Sequence, residues 1–146
     1  MTWLAAAPII LPIGIAILLL MTVKQPALQR LLALVGSLTL LAAALLLLAQ
    51  TRQQGWVVMQ VGNWQAPFGI TLAVDLFGAV MVALSSLVGL LVVVYSQAVV
   101  PEEPQRFGFY PLLFILFMGV NGAFTTGDLF NLYVWFEVLL MASFVL

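Results

Sequence analysis

The side chain best suited to chemistry in this sequence is Glu137. Of the nine charged residues, four Lys or Arg and five Asp or Glu, it alone is predicted to lie neither at a helix end nor in a connection. It lies nine residues beyond Asp128, about 13 Å along a helix at roughly 1.5 Å per residue. That depth is near the middle of a hydrocarbon core about 30 Å thick. A carboxylate there is costly unless it is protonated, paired or hydrated, so Glu137 is predicted to handle protons or cations.

The alternative for Glu137 is a structural glutamate that bonds two helices together. Tyr133 lies four residues earlier on the same helical face and is a candidate hydrogen-bond partner for the carboxyl group. The single lysine, Lys24, falls in a predicted connection. The sequence therefore supplies an acid in the middle of the membrane without a base at the same depth.

Two further polar residues are candidate accessory groups. Asp128 is predicted to cap a helix, because nine residues correspond to about 900° of rotation and place it on the face opposite Glu137. Asn121 lies beside Gly119 and Gly122. Small residues let helices approach closely and an amide can bond across such a contact, so helix packing is the favoured role for Asn121.

Composition places these residues in a membrane. The 146 residues are 65% hydrophobic and 6% charged, whereas soluble domains carry about 25% charged residues. The net charge of −1 gives no basic patch and argues against a nucleic-acid partner. The absence of cysteine and histidine excludes disulfides, thiolate-ligated clusters and His-ligated haem within the chain, so we expect no cofactor and no metal site.

The hydrophobic pattern predicts a single all-α membrane domain over residues 1–146, with about five transmembrane helices. The first helix contains Pro8 and Pro12, which should kink it, and it is expected to be retained rather than cleaved as a signal peptide. Asp75 and Asp128 are predicted N-caps. Two β-prone stretches, 56–61 and 68–74, predict a short interfacial hairpin over 56–74. The predicted helices are 3–23, 27–49, 75–99, 107–124 and 128–146.

Orientation follows from the basic residues. Lys24, Arg30 and Arg106 lie in or beside the first and third connections, and Arg52 lies in the second. An excess of Lys and Arg marks cytoplasmic loops, so the N-terminus is predicted to be external.

Two sequence stretches resemble a known family. Residues 61–70, VGNWQAPFGI, are followed closely by Asp75, and residues 119–132, GVNGAFTTGDLFNL, continue into FEVLL at 136–140. Both resemble the D subunit of Mrp-type multisubunit sodium/proton antiporters, and the resemblance covers essentially the whole chain. These proteins are similar to the antiporter-like subunits of respiratory complex I and of membrane-bound hydrogenases.

The resemblance implies a fold, a site and a set of partners. The family fold has fourteen transmembrane helices with two inverted five-helix repeats, and this chain aligns with its first five helices. The fifth-helix glutamate, here Glu137, is implied to pair with a seventh-helix lysine that lies beyond this chain, which is therefore expected to be an N-terminal portion. The implied partners are other subunits of a membrane antiporter complex, the lipid bilayer, protons and sodium or another monovalent cation.

Three functions remain open at this point. The first is a component of a secondary cation/proton antiporter in the cell membrane, which is a transporter rather than an enzyme. The second is a proton-pumping component of a complex I-like or hydrogenase complex. The third is a structural or assembly element without transport of its own.

Overall fold

The computed structural model describes residues 2–64, 69–101 and 108–146. These residues form a mostly helical bundle with one two-stranded sheet. The helices are α1 (Ala7–Met21), α2 (Pro26–Gln54), α3 (Leu76–Val99), α4 (Phe109–Thr125) and α5 (Leu129–Val145).

The first apolar segment is shorter as an α-helix than predicted. Thr2–Ala5 forms a 3-10 helix, and α1 begins only at Ala7, so the predicted helix over 3–23 divides into two parts. Pro8 occupies the first turn of α1. Backbone N–H groups in the first turn have no partner within the helix, so a proline there costs no helical hydrogen bond. Pro12 lies inside the same continuous helix.

The second helix is longer than predicted and corrects the placement of Arg52. It continues to Gln54 rather than ending near residue 49, so Arg52 lies in the last helical turn and not in a connection. The helix ends at Gly55, whose φ of 84° is accessible to glycine at little cost.

The predicted hairpin is present with shorter strands. β1 (Val57–Gln60) pairs antiparallel with β2 (Thr71–Val74), with Val57 opposite Val74 and Gln60 opposite Thr71. The turn residues 65–68, including the predicted β-prone Phe68, lie outside the described residues.

Both predicted N-caps are confirmed. The Asp75 carboxylate accepts a hydrogen bond from the Gly78 N–H at 2.7 Å at the start of α3, and Asp128 caps α5 in the same way. The charged connector over 102–107, including Arg106, lies outside the described residues, so α4 is described only from Phe109 and not from residue 107 as predicted.

α4 occupies the centre of the bundle. It packs against α1, α3 and α5, while α2 packs against α1 and α3. Tyr110, Phe114 and Phe117 of α4 lie in the largest buried cluster. A second cluster joins the sheet to the N-terminal 3-10 helix and to α2. Within the described ranges, α2 and α3 are long and apolar enough to cross a membrane, and α1, α4 and α5 are shorter apolar helices.

Candidate functional site

The site is organised around α5, and its first element is the Asp128 cap. Asp128 Oδ1 accepts the Asn131 N–H at 2.6 Å. The Asn131 side chain donates to Thr126 Oγ1 at 3.0 Å, and this hydroxyl donates to the Asp128 carbonyl at 3.3 Å. Asp128 Oδ2 is buried without a hydrogen-bond partner among the described residues. The capping role predicted for Asp128 is therefore confirmed. Its Oδ1 forms the cap, and its Oδ2 makes no hydrogen bond within the described residues.

The hairpin holds the corner at which α5 begins. The Gly127 N–H donates to the Thr71 carbonyl of β2 at 2.8 Å. Leu72 and Thr126 form an antiparallel bridge beside this bond. A Cβ on Gly127 would lie 2.9 Å from the Cβ of Ala73, so the strand and the corner are in close contact. The sheet thus fixes the N-terminal end of α5, where Asp128 lies nine residues before Glu137.

Glu137 lies in an open groove between α4 and α5. The groove is lined by apolar side chains and contains no lysine or arginine among its described lining residues. The Glu137 side chain is exposed within the described residues. Tyr133, one turn earlier and 63% exposed, is close enough for its hydroxyl to interact with the Glu137 carboxyl group. The apolar lining consists of Leu112, Ile115, Val138, Met141, Ala142 and Val145.

Two glycines set the distance between α4 and α5. A Cβ on Gly119 would lie 2.8 Å from Leu139 Cβ and 2.9 Å from Leu139 N, so α5 backbone lies directly against it. A Cβ on Gly122 would clash with the Trp135 ring. Small residues of this kind allow close helix approach. They bring α5 close to α4 at Trp135 and Leu139.

Asn121 links α4 to α1 rather than to α5. Its side chain is fully buried, and Nδ2 donates to the Pro8 carbonyl at 3.3 Å. The predicted packing role, an amide bonding across a close helix contact, matches this geometry. Asn121 Oδ1 has no hydrogen-bond partner among the described residues. No hydrogen bond between the described residues joins Asn121 to Glu137.

Sequence reasoning missed the indole of Trp135 and the amide of Asn131. Trp135 lies against Gly122, and its Nε1 is buried with no partner within the described part of the chain. Asn131 is 6% exposed and completes the Thr126 and Asp128 hydrogen bonds. A glycine thirteen residues before a tryptophan is not a sequence pattern that predicts a contact between the two. The Thr-x-Asp-x-x-Asn spacing, in contrast, is typical of a capped helix start and could have identified Asn131.

The groove exposes one ionisable side chain among its described lining residues, the Glu137 carboxyl group. The carboxylate is reachable from the groove, and the groove's described lining offers no counter-charge. Within the described residues, no cluster of three or more His, Cys, Asp or Glu side chains could hold a metal ion. The groove therefore offers a single carboxylate, with the Tyr133 hydroxyl one helical turn away.

Comparison with solved structures defines the class. The chain superposes with a TM-score of 0.91 and 26% identity on a chain of the archaeal membrane-bound sulfane sulfur reductase, a respiratory membrane complex, covering 97% of this chain and 29% of that one. It also superposes with a TM-score of 0.89 and 30% identity on the Mrp complex from Dietzia sp., covering 100% of this chain and 27% of that one. The described helices and sheet therefore have the fold of the corresponding segment of these two membrane-complex chains.

Curated relatives make the assignment more specific. The chain is 42% identical over 143 residues to the D subunit of the Na(+)/H(+) antiporter of Alkalihalophilus pseudofirmus, and 40% identical over 139 residues to the Bacillus subtilis protein of the same name. The chain is a homologue of the D subunit of Mrp-type Na⁺/H⁺ antiporters over nearly its whole length. These matches cover 98% and 95% of this chain, which spans about 29% of the length of the first relative and 28% of the second. No family model matches.

Proposed function

We propose that this chain is part of a subunit of a multisubunit monovalent cation/proton antiporter, in which Glu137 binds and releases the transported proton. The observation that carries the proposal is the position of Glu137. It lies in the interior of α5 and opens into a groove whose described lining is otherwise apolar. An ionisable group at such a depth is costly and is normally retained for function.

The groove also supports the proposed coupling. A cation close to a carboxyl group favours its charged form over its protonated form. The described part of the groove provides no cation. We therefore propose that an element outside this chain covers the groove and brings a lysine beside Glu137. Approach of that lysine would release the proton, and its withdrawal would favour proton uptake.

The membrane arrangement forms part of the same proposal. All five helices would cross the cell membrane, within a larger subunit of fourteen helices and alongside the other components of the complex. The N-terminus and the hairpin would lie on the external side, with lipid around the exposed helix faces. Exchange of sodium or another monovalent cation is proposed from the names of the relatives, which are Na(+)/H(+) and K(+)/H(+) antiporter subunits.

The deciding experiment replaces Glu137 in the assembled complex. Glu137→Gln keeps the size and hydrogen-bonding capacity of the side chain but cannot release a proton. We expect cation-driven proton exchange in membrane vesicles to collapse, with complex assembly unchanged. Glu137→Asp keeps the proton and shortens the reach by one methylene, so we expect intermediate exchange, because proton transfer depends on positioning.

A matched control separates chemistry from packing. Leu140→Gln introduces the same amide into the interior of α5, at an exposed residue that does not line the groove. We expect this variant to retain exchange when normalised to assembled complex. Near-normal exchange in Glu137→Gln would overturn the carrier role and favour a structural or assembly element without its own transport.

The second candidate function is a proton pump driven by electron transfer in neighbouring subunits. It is favoured by the structural match to the archaeal respiratory membrane complex, which has the higher of the two TM-scores. The two functions differ in their energy source. Exchange driven by a sodium pulse alone, without an electron donor, supports the antiporter. Proton movement that requires an electron donor supports the pump.

A further inference from the structure

A second groove lies at the outer surface of the α2–α3 pair, away from Glu137. It has a volume of about 770 Å³ and is formed by the last three turns of α2 and the first turns of α3. One end carries Arg52 and Gln53, and the rest is apolar. Along α2 the groove extends from Leu45 to Gln53, about 12 Å at roughly 1.5 Å per residue. The apolar lining consists of Leu45, Leu48, Ala49, Leu76 and Val80.

Arg52 is a cation without a protein counter-ion in the described part of the chain. No hydrogen bond or ion pair involves its side chain there. The nearest acidic residue in sequence, Asp75, uses Oδ1 to accept the Gly78 N–H that caps α3. Arg52 is exposed in the last turn of α2, three residues before the chain turns at Gly55. The guanidinium is therefore free to bind an anion at the rim of the groove.

The position of this rim matches the level of lipid headgroups. Trp56 follows Arg52 by four residues and is 74% exposed, and Trp64 in the hairpin is 67% exposed. Exposed tryptophans are typical of the membrane–water interface. A cation at this level, above an apolar channel that runs toward the membrane interior, complements a molecule with an anionic head and a hydrocarbon tail.

We propose that the α2–α3 groove is a binding site for an anionic phospholipid, with its phosphate on Arg52 and an acyl chain along the apolar lining. Arginine suits this role because its planar fork binds phosphate oxygens in a bidentate manner. The site is independent of the proton-transfer role proposed for Glu137, which lies in the α4–α5 groove. A transmembrane helix of another subunit would fill the same apolar lining but would leave the guanidinium without an anion unless it supplied a carboxylate.

The test uses the assembled complex and two photoreactive lipids that differ only in headgroup. Phosphatidylglycerol and phosphatidylcholine, each carrying a diazirine in the acyl chain, are incorporated separately at equal amounts, and crosslinks are mapped by peptide mass spectrometry. We expect phosphatidylglycerol to label the groove peptides of α2 and α3 more strongly than phosphatidylcholine, by about fivefold for one interfacial cation.

Substitutions separate the two halves of the site. Arg52→Gln should remove the preference for phosphatidylglycerol, and Arg52→Lys should retain most of it, because the charge remains while the bidentate geometry is lost. Ala49→Phe should fill the groove and abolish labelling by both lipids. Its control is Ala27→Phe, an exposed alanine at the opposite end of α2, which should change nothing.

Three results would overturn the proposal. Equal labelling by the two lipids in the wild-type complex would show that no anionic headgroup is selected. A preference that persists in Arg52→Gln would assign the anion to another residue. Crosslinks from the groove to a polypeptide of another subunit, in place of lipid, would show that the groove is an interface within the complex.

Discussion

Replacement of Gly119 by alanine tests whether the close contact between α4 and α5 positions Glu137. The added Cβ would lie 2.8 Å from Leu139 Cβ, 2.9 Å from Leu139 N and 3.1 Å from Leu139 Cα. Two of these three atoms are backbone, so no side-chain rotation relieves the clash. An ordinary contact begins at 3.4 Å, and α5 must therefore move by about 0.6 Å at Leu139, two residues beyond Glu137.

The expected magnitude follows from that displacement. Overpacking a close contact typically costs about 1–3 kcal/mol, so we expect the free energy of unfolding to fall by that amount. A displacement of about 1 Å at a reacting group can reduce rate by about 100-fold. A movement near 0.6 Å at α5 should therefore lower proton exchange by roughly tenfold while the complex still assembles.

Gly14→Ala is the matched control. Gly14 is also a helical glycine, but a Cβ there would meet no atom within 4 Å among the described residues. Removing the backbone freedom of a glycine in a helix should leave stability unchanged or raise it by up to about 1 kcal/mol. Exchange should be unaffected.

The measurements are proton exchange in vesicles, normalised to assembled complex, and the fraction of complex that survives heating in detergent. The reasoning would be refuted if Gly119→Ala and Gly14→Ala behaved alike in both assays. A Gly119→Ala complex that is less heat-stable but exchanges normally would show that the contact matters for packing and not for the position of Glu137.

The remaining predictions concern the cap, the hydroxyl and the topology. Asp128→Asn should retain most exchange and stability, because Asn caps nearly as well, whereas Asp128→Ala should lose about 1 kcal/mol of stability in the heating assay; complete loss of exchange in Asp128→Asn would assign Asp128 to transport. Tyr133→Phe should reduce exchange by less than about tenfold, since the hydroxyl only assists the carboxylate; a loss equal to that of Glu137→Gln would make it a carrier. With other cysteines removed from the complex, Gln54→Cys should react with an impermeant thiol reagent from outside the cell and Lys24→Cys only from the inside, and the reverse pattern would invert the proposed orientation.

Sequence reasoning succeeded where the determining interactions are local. Asp75 and Asp128 were predicted as caps because a carboxylate and an N–H three residues later form the bond within one turn. The hairpin followed from two β-prone stretches around a turn, although its strands proved shorter. The end of α2 was misplaced because Thr51, Arg52 and two glutamines are polar but sterically compatible with a helix, which continues to Gly55.

The sequence by itself determined the class of the molecule and the position of its acidic group along α5. An apolar content of 65% with 6% charge argues against a fold whose whole surface faces water, and counting nine residues from the Asp128 cap places Glu137 in the middle of α5. The proton-carrying role of Glu137 stays a prediction.

Tertiary structure alone decided which neighbours each polar group received. Asn121 bonds Pro8, 113 residues away, and the Gly127 corner bonds Thr71 of the hairpin. Trp135 lies on Gly122, and Arg52 stands at the rim of a groove shared with α3. These contacts depend on the rotation and spacing of whole helices. Such rotation and spacing are set by the sum of many small packing energies. No short stretch of the sequence encodes that sum.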